Sequence, residues 1–288
     1  MCPKERKFIL RSEYFAVNPL FVERASMKPQ FDKYLAYSEA VQSPEYEARF
    51  LRKVYKQIVG KEPLSLREDF CGTFALCCEW IKIDRNKKAI GIDLDPEPLT
   101  YGRTHYLPQL ENTAQKRLAL YKRNVLRPIG VKSDITCALN FSYFGFHDRE
   151  TLVKYFTLAR RSLAPDGIII CDIFGGPDYG TAYTDKKRLP GFTYTFEQNY
   201  FDPISNRTSF SIHFHPKGGR PLKNAFFYDW RMWSIPEVRD AMREAGFKDS
   251  LVYWEGTARN GRGSGEFHPR KKGESCSIWV AYVVGTSK

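Results

Sequence analysis

The sequence predicts an α/β protein built on a doubly wound, mostly parallel sheet, and three observations carry that expectation. Short apolar runs alternate with amphipathic helical stretches from residue 64 to residue 175, the pattern of a parallel sheet covered by helices on both faces. Two of those runs each end in an acid and bracket a glycine-containing turn and a small-residue helix, between Leu64 and Asp95. Beyond residue 190 the pattern changes to alternating aromatic and polar residues, which predicts antiparallel strands.

The 288 residues suit one large domain with an elaborated insert, and 42 % of them are hydrophobic, enough for a sizeable core. No apolar run reaches the roughly 18 residues of a membrane helix. The stretch Met1 to Arg11 is basic and lacks the apolar centre of a signal peptide. The seven cysteines (Cys2, Cys71, Cys77, Cys78, Cys137, Cys171 and Cys276) form no C-x-x-C pair. Buried free thiols in a reducing compartment are expected, and with them a cytoplasmic location and no membrane partner. A net charge of +12 favours an acidic partner, either nucleic acid or a phosphorylated or carboxylated small molecule.

In chain order, residues 1 to 30 show no period and read as an arm. From Phe31 to Val59 a helical pattern appears, with Ser43-Pro44 as a start signal, Glu45 and Glu47 in the first turn, and Gly60 as the stop. Leu64 to Asp69 is the first strand, Cys77 to Lys82 lies in the first crossover helix, and Ala89 to Asp95 holds the second strand. Such a βαβ unit, Rossmann-like in layout, places a nucleoside-type ligand at the carboxyl ends of its strands. The turn leaves room for the ligand against the backbone, and the second acid accepts hydrogen bonds from ribose hydroxyls. Pro98 to Leu118 reads as a broken helix, Ala119 to Val125 as the third strand and Asp134 to Phe141 as the fourth. Arg149 to Leu163 is an amphipathic helix, followed by a turn at Ala164 to Gly167 and the fifth strand, Ile168 to Phe174. Phe192 to Phe201, Arg207 to His215 and Asn224 to Trp233 read as a three-stranded antiparallel insert. A helix from Ile235 to Ala245 and strands at Lys248 to Trp254 and Cys276 to Val284 complete a seven-stranded sheet. Five glycines and no apolar period mark Gly256 to Ser275 as a mobile loop.

The run Glu68-Asp69-Phe70-Cys71-Gly72-Thr73-Phe74 resembles motif I of the class I S-adenosylmethionine-dependent methyltransferases, (D/E)-x-G-x-G-x-G, often with C-G-T inside. Glu68 falls at the motif's acid, while Phe70 and Phe74 stand where it has its first and last glycine. Because Phe lacks glycine's freedom at positive φ, the turn is expected to depart from the family's conformation there. The run Arg161 to Ile170 resembles the R-x-L-x-P-x-G-G turn into strand five of the same family. The resemblance covers roughly residues 60 to 175 and implies S-adenosylmethionine as cofactor. It implies that Asp93, with Leu94 beside it, binds the ribose, and that Asn124 and Val125 stand at the adenine. It also implies that Glu68, Asp69, Cys71, Gly72 and Thr73 form the cofactor turn. Asn140-Phe141-Ser142-Tyr143 has the ends of the N-P-P-Y motif without its prolines. Asn140 is expected at both cofactor and acceptor, and Asn140, Tyr143 and Tyr37 are the catalytic candidates. Tyr34 and Tyr37 resemble the lid tyrosines of small-molecule methyltransferases, and Trp230-Arg231 with Ser234 resembles the end of their insert. Tyr34, Tyr37, Tyr228 and Arg231 are therefore acceptor-binding candidates, and so are Arg259 and Arg262, cations of the Gly256 to Ser275 loop, which the resemblance implies overhangs the acceptor pocket.

His213 and His215 share a strand face with no third ligand near in sequence, so no metal is expected. Four segments are expected: an arm and helical lid (1–59), a cofactor-binding core (60–175), a substrate-side insert (176–233), and the last helix with two core strands (234–288). The favoured function is methyl transfer to a small acidic or aromatic acceptor by in-line displacement. The alternatives are an RNA or DNA methyltransferase using the basic surface, and a non-catalytic protein that binds the same cofactor.

Overall fold

A computed structural model describes residues 31–258 and 263–287; the arm expected over residues 1–30 lies outside them. Asp32 caps α1 (Lys33–Val41), accepting hydrogen bonds from the Tyr34 and Leu35 N–H groups at 3.0 Å. The helical stretch 31–59 is two helices, because Pro44 has no N–H to continue a ladder and turns the preceding residue away from helical backbone. α2 (Pro44–Val59) starts at that proline and ends at Gly60, at φ 75°.

The core follows as β1 (Ser65–Asp69), α3 (Ala75–Ile83), β2 (Lys88–Asp93), α4 (Pro96–His105), the one-turn α5 (Asn112–Gln115), β3 (Leu118–Lys122), β4 (Ser133–Ala138), α6 (Arg149–Arg161) and β5 (Leu163–Gly175). β3, β2, β1, β4 and β5 pair in that order, all parallel. Two strands are shorter than their apolar runs, so Asn124 and Asn140 stand in turns beyond the strand ends. β5 is longer: Leu163 already pairs with Ser133, and the Pro-Asp-Gly segment is a bulge within the strand before Ile168 pairs with Ile135.

Among the described residues the insert has four strands, β6 (Thr184–Leu189), β7 (Phe192–Asp202), β8 (Arg207–Pro216) and β9 (Leu222–Arg231), in that order. β6 reads Thr-Asp-Lys-Lys-Arg-Leu and escaped the sequence reading because it is an edge strand, where charges discourage further pairing. α7 (Ile235–Glu244) begins with a capping box between Ser234 and Glu237. β10 (Asp249–Thr257), β11 (Gly263–Pro269) and β12 (Trp279–Thr286) finish the main sheet, β12 running antiparallel to both β5 and β10.

Among the described residues the main sheet thus has the seven expected strands plus an eighth, β11, inside the segment read as a mobile loop. Phe267 anchors it, buried against Phe50 and Tyr282 with ring centroids 5.8 and 4.9 Å away. The Tyr46 hydroxyl donates to the Gly265 carbonyl. Burying one phenylalanine contributes about 1.5–3 kcal/mol, which offsets the entropic handicap of the glycines at about 1 kcal/mol each.

The sheet is buried on both faces. Leu66, Ile135, Cys137, Ile168 and Ile170 pack toward α2 and α3. Ile169, Cys171 and Ile173 pack toward α6 and α7, in one continuous core with Phe196, Phe210 and Trp230 of the insert. The six described cysteines are buried, five of them (Cys71, Cys77, Cys78, Cys137 and Cys171) as free thiols. No described helix is long and apolar enough to cross a membrane.

Candidate functional site

β1 lies between β2 and β4, and the chain winds outward in opposite directions from β1 and β4. That is the switch point of the sheet, where the carboxyl ends of neighbouring strands leave a crevice. The turn after β1 fills one side of it. Phe70, Gly72 and Phe74 stand at φ 59°, 53° and 51°. The expectation that phenylalanine would exclude the left-handed conformation is overturned. Left-handed backbone costs a non-glycine residue about 1–2 kcal/mol, and here ring burial offsets it. Phe74 is fully buried. Phe70 packs on Phe146 and Tyr155 with centroids 5.8 and 5.9 Å away. α4 seats directly on the turn: a Cβ on Gly102 would collide with the Thr73 carbonyl oxygen and the Phe74 ring.

Hydrogen bonds close the turn onto β2. Cys71 N–H donates to the Ile92 carbonyl at 3.0 Å, and Gly72 N–H donates to Asp93 Oδ2 at 2.7 Å. Asp93 Oδ1 accepts from Asp95 N–H at 2.9 Å. Partial burial raises the Asp93 carboxyl above its ordinary range, while the N–H donors of Asp95 and Gly72 pull the other way. Space in front of Gly72 is open, since a Cβ there would meet nothing within 4 Å. Leu94, next along, leaves 63 % of itself exposed at this edge.

Two acids of the motif lie below the crevice. Glu68 faces α3 and accepts from the Cys77 thiol at 3.1 Å; burial pushes it up to about 8. Asp69 points to the other face, where Arg67 donates at 2.7 and 3.2 Å and the Tyr155 hydroxyl at 3.0 Å. Cys71 and Thr73 are buried in the turn itself. At the end of β3, Asn124 is exposed and its Oδ1 accepts from Leu126 N–H at 2.8 Å, while Val125 is buried in the core. Arg123 N–H donates to the Asp93 carbonyl at 2.8 Å, bringing this turn beside Asp93.

Beyond β4, Asn140 and Phe141 are consecutive left-handed residues, φ 56° and 57°. Asn140 N–H donates to Asp172 Oδ2 at 2.8 Å and Phe141 N–H to Oδ1 at 2.9 Å. Asn140 is half-buried at the crevice edge. Tyr143, a catalytic candidate, is fully buried instead, its ring 5.1 Å from that of Phe144, and its hydroxyl has no partner among the described residues.

α1 bridges α4 and β9. Tyr101 of α4 donates its hydroxyl to Asp32 Oδ2 at 2.7 Å, and Lys33 pairs with Glu97 at 2.7 Å. Tyr34 packs on Tyr101 (4.7 Å) and on Phe226 of β9 (5.7 Å), and Tyr37 on Phe226 (4.9 Å). Burial raises the Tyr37 and Tyr228 hydroxyls, which face each other, the second to about 12. Tyr34, Tyr37 and Tyr228 are thereby brought together. Arg231 is engaged elsewhere: it donates to the His147 carbonyl at 3.2 Å, pairs with Glu237 at 3.3 Å and covers the Trp233 ring. Arg259 and Arg262 lie outside the described residues. His213 binds Glu197 at 3.0 Å, and no cluster of three metal-ligating side chains occurs among the described residues. The sequence reading missed Asp172 and Tyr101. An acid inside the apolar run Ile168 to Phe174 was the available signal for the first.

The arrangement presents a turn whose Gly72 carries no side chain, a carboxylate with one backbone donor on each oxygen, an exposed apolar residue and a half-buried amide, with a cluster of tyrosines between α1 and β9. No family model and no curated protein matches the chain. Among solved structures it is similar to an S-adenosylmethionine-dependent methyltransferase from Clostridium acetobutylicum, at 15 % identity and TM-score 0.64, covering 88 % of this chain and 96 % of that one. It is similar to DesVI of Streptomyces venezuelae at 18 % identity and TM-score 0.64, over 88 % and 96 % of the two chains. It is also similar to CalS10 of Micromonospora echinaspora, an amino pentose methyltransferase solved with its cofactor, at 17 % identity and TM-score 0.63, over 92 % and 100 %. The chain therefore shares the fold of these enzymes.

Proposed function

We propose that this chain binds S-adenosylmethionine in the β1–β4 crevice and transfers its methyl group to a small molecule held beneath α1 and the insert. The observation that carries the reading is the turn with Gly72 fastened to the Asp93 carboxylate. Each Asp93 oxygen uses one acceptor direction on the backbone and keeps others for the two ribose hydroxyls. Open space before Gly72 admits the ligand chain, and Leu94 offers apolar cover for the base. Asn124, beside Asp93, stands where a base edge would be met. The cofactor, once bound, supplies a methyl group on a positively charged sulfur.

The chain's own task is alignment and exclusion of water, since in-line displacement needs the acceptor atom about 3 Å from the methyl carbon. Tyr34, Tyr37 and Tyr228 would enclose the acceptor, and Asn140 would hold its reacting group. We read residues 31–59 as the cover, 60–175 as the cofactor unit and 176–233 as the acceptor roof. The tie of α1 to both α4 and β9 favours a small acceptor over a nucleic-acid strand, which needs an open groove. Because CalS10 is described as acting on an amino pentose, amino sugars come first among acceptors to try. Calorimetric titration with S-adenosylmethionine tests the cofactor. A transfer screen with radiolabelled cofactor against amino sugars, acidic aromatics and RNA tests the acceptor class. Absence of binding removes the reading altogether, and label on RNA alone replaces the small acceptor.

A further inference from the structure

Among the groups that the cofactor reading leaves unused, Asp172 is placed most tightly. It sits near the carboxyl end of β5 and is largely buried. Its two oxygens take the N–H groups of Asn140 and Phe141, at 2.8 and 2.9 Å. Those two residues are consecutive and both left-handed, a conformation that costs each about 1–3 kcal/mol unless its surroundings hold it. The Phe141 ring is fixed in the core, its centroid 4.6 Å from that of Phe174. Asn140 has no such anchor. Its side-chain amide makes no hydrogen bond among the described residues, and Asp172 is what fixes its backbone.

The position of that amide matters. Ala138 pairs with Asp69, so Asn140 and Phe70 begin neighbouring turns on opposite sides of the switch point. Asp93, on β2, lies on the far side of β1. With ribose at Asp93, the rest of the ligand crosses β1 toward β4, about 5 Å per strand. The atom attached to the sulfur then arrives at Asn140.

Resting on the proposed cofactor, we propose that Asp172 is a positioning residue: its carboxylate holds the Asn140–Phe141 turn left-handed, so that the Asn140 amide oxygen faces the amine that receives the methyl group. Asp172 itself touches no ligand. An apolar side chain or an amide at this position would leave at least one of the two N–H groups without its acceptor and free the turn.

The test needs no identified acceptor. Sinefungin carries a primary amine where the methyl group stands, and S-adenosylhomocysteine carries nothing there. Calorimetry on the native chain should give sinefungin about ten- to a hundredfold tighter than S-adenosylhomocysteine, the range of a hydrogen bond to a charged group. Asn140→Ala and Asp172→Asn should each bring that ratio to within about twofold of one, with S-adenosylhomocysteine affinity changed less than about threefold. Asp172→Ser, which keeps one oxygen acceptor, serves if Asp172→Asn does not fold. Three results overturn the inference while leaving the cofactor reading intact: equal affinity of the native chain for the two analogues, an unchanged ratio in the Asp172 variant, or a parallel loss of both affinities. Failure of the native chain to bind either analogue removes the cofactor reading, and this inference with it.

Discussion

The backbone N–H of Gly72 donates to Asp93 Oδ2 at 2.7 Å, so one carboxylate both closes the β1 turn and faces the crevice. Replacing Asp93 by Ala therefore removes the proposed ribose partner and loosens the turn. S-adenosylmethionine affinity should fall by about 2–4 kcal/mol, since hydrogen bonds to charged groups contribute about 1.5–3 kcal/mol each and do not simply add. Calorimetry on the folded variant decides the point; an unchanged dissociation constant takes Asp93 out of the site.

Gly72→Ala separates fold from ligand. The added methyl meets no protein atom within 4 Å, so the fold pays only for alanine at φ 53°. That cost is about 1 kcal/mol, or a drop of a few degrees in melting temperature. If the cofactor lies against this backbone, its affinity should fall more than about tenfold. An affinity within twofold of native would mark Gly72 as a turn glycine only.

Stability should carry the signature of Glu68. Burial raises its carboxyl to about 8, against an ordinary value of 4.5. Between those values the folded chain holds a proton that the unfolded chain releases, so unfolding free energy falls as pH rises. The slope approaches about 1.4 kcal/mol per pH unit and levels out once Glu68 ionises in the fold. Glu68→Gln stays neutral and lacks this slope. Denaturant titrations at pH 5, 6.5 and 8 should show the variant gaining on the native chain with each step. A constant difference would mean that Glu68 is already ionised in the native state.

The cover should loosen selectively. Tyr101→Phe deletes the hydroxyl that reaches Asp32 and leaves the tilted ring contact with Tyr34 in place. Hydrogen exchange should accelerate across residues 33–41 and stay unchanged across β1 and β4. Uniform acceleration would show that the bond supports the whole fold.

Much of the fold was legible because period and punctuation act locally. The parallel core announced itself by short apolar runs with helices between them. β6 was not legible, because an edge strand with charges on both faces has no alternation to read. β11 was hidden by its glycines, since what makes it a strand is Phe267 meeting Phe50 and Tyr282, residues distant in sequence. At the site, Gly72, Asp93 and Asn140 were singled out through the family resemblance, and the structure places all three at the carboxyl edge of the sheet. Tyr143 lies in the core rather than at that edge, because a turn of 3₁₀ helix after Phe141 carries its ring inward. Asp172 acts through two backbone N–H groups on another strand, and no local pattern encodes that.

Phe70 and Phe74 hold torsion angles normally left to glycine, and each does so with its ring wedged among partners. A turn built that way has less freedom to lose than a glycine loop, so a ligand meets a surface already shaped for it, and association should proceed with little rearrangement. The recognisable element is then a sequence of torsion angles, which glycine adopts through its lack of a side chain and phenylalanine through its packing. Patterns that demand the residue rather than the torsion will pass over chains of this kind.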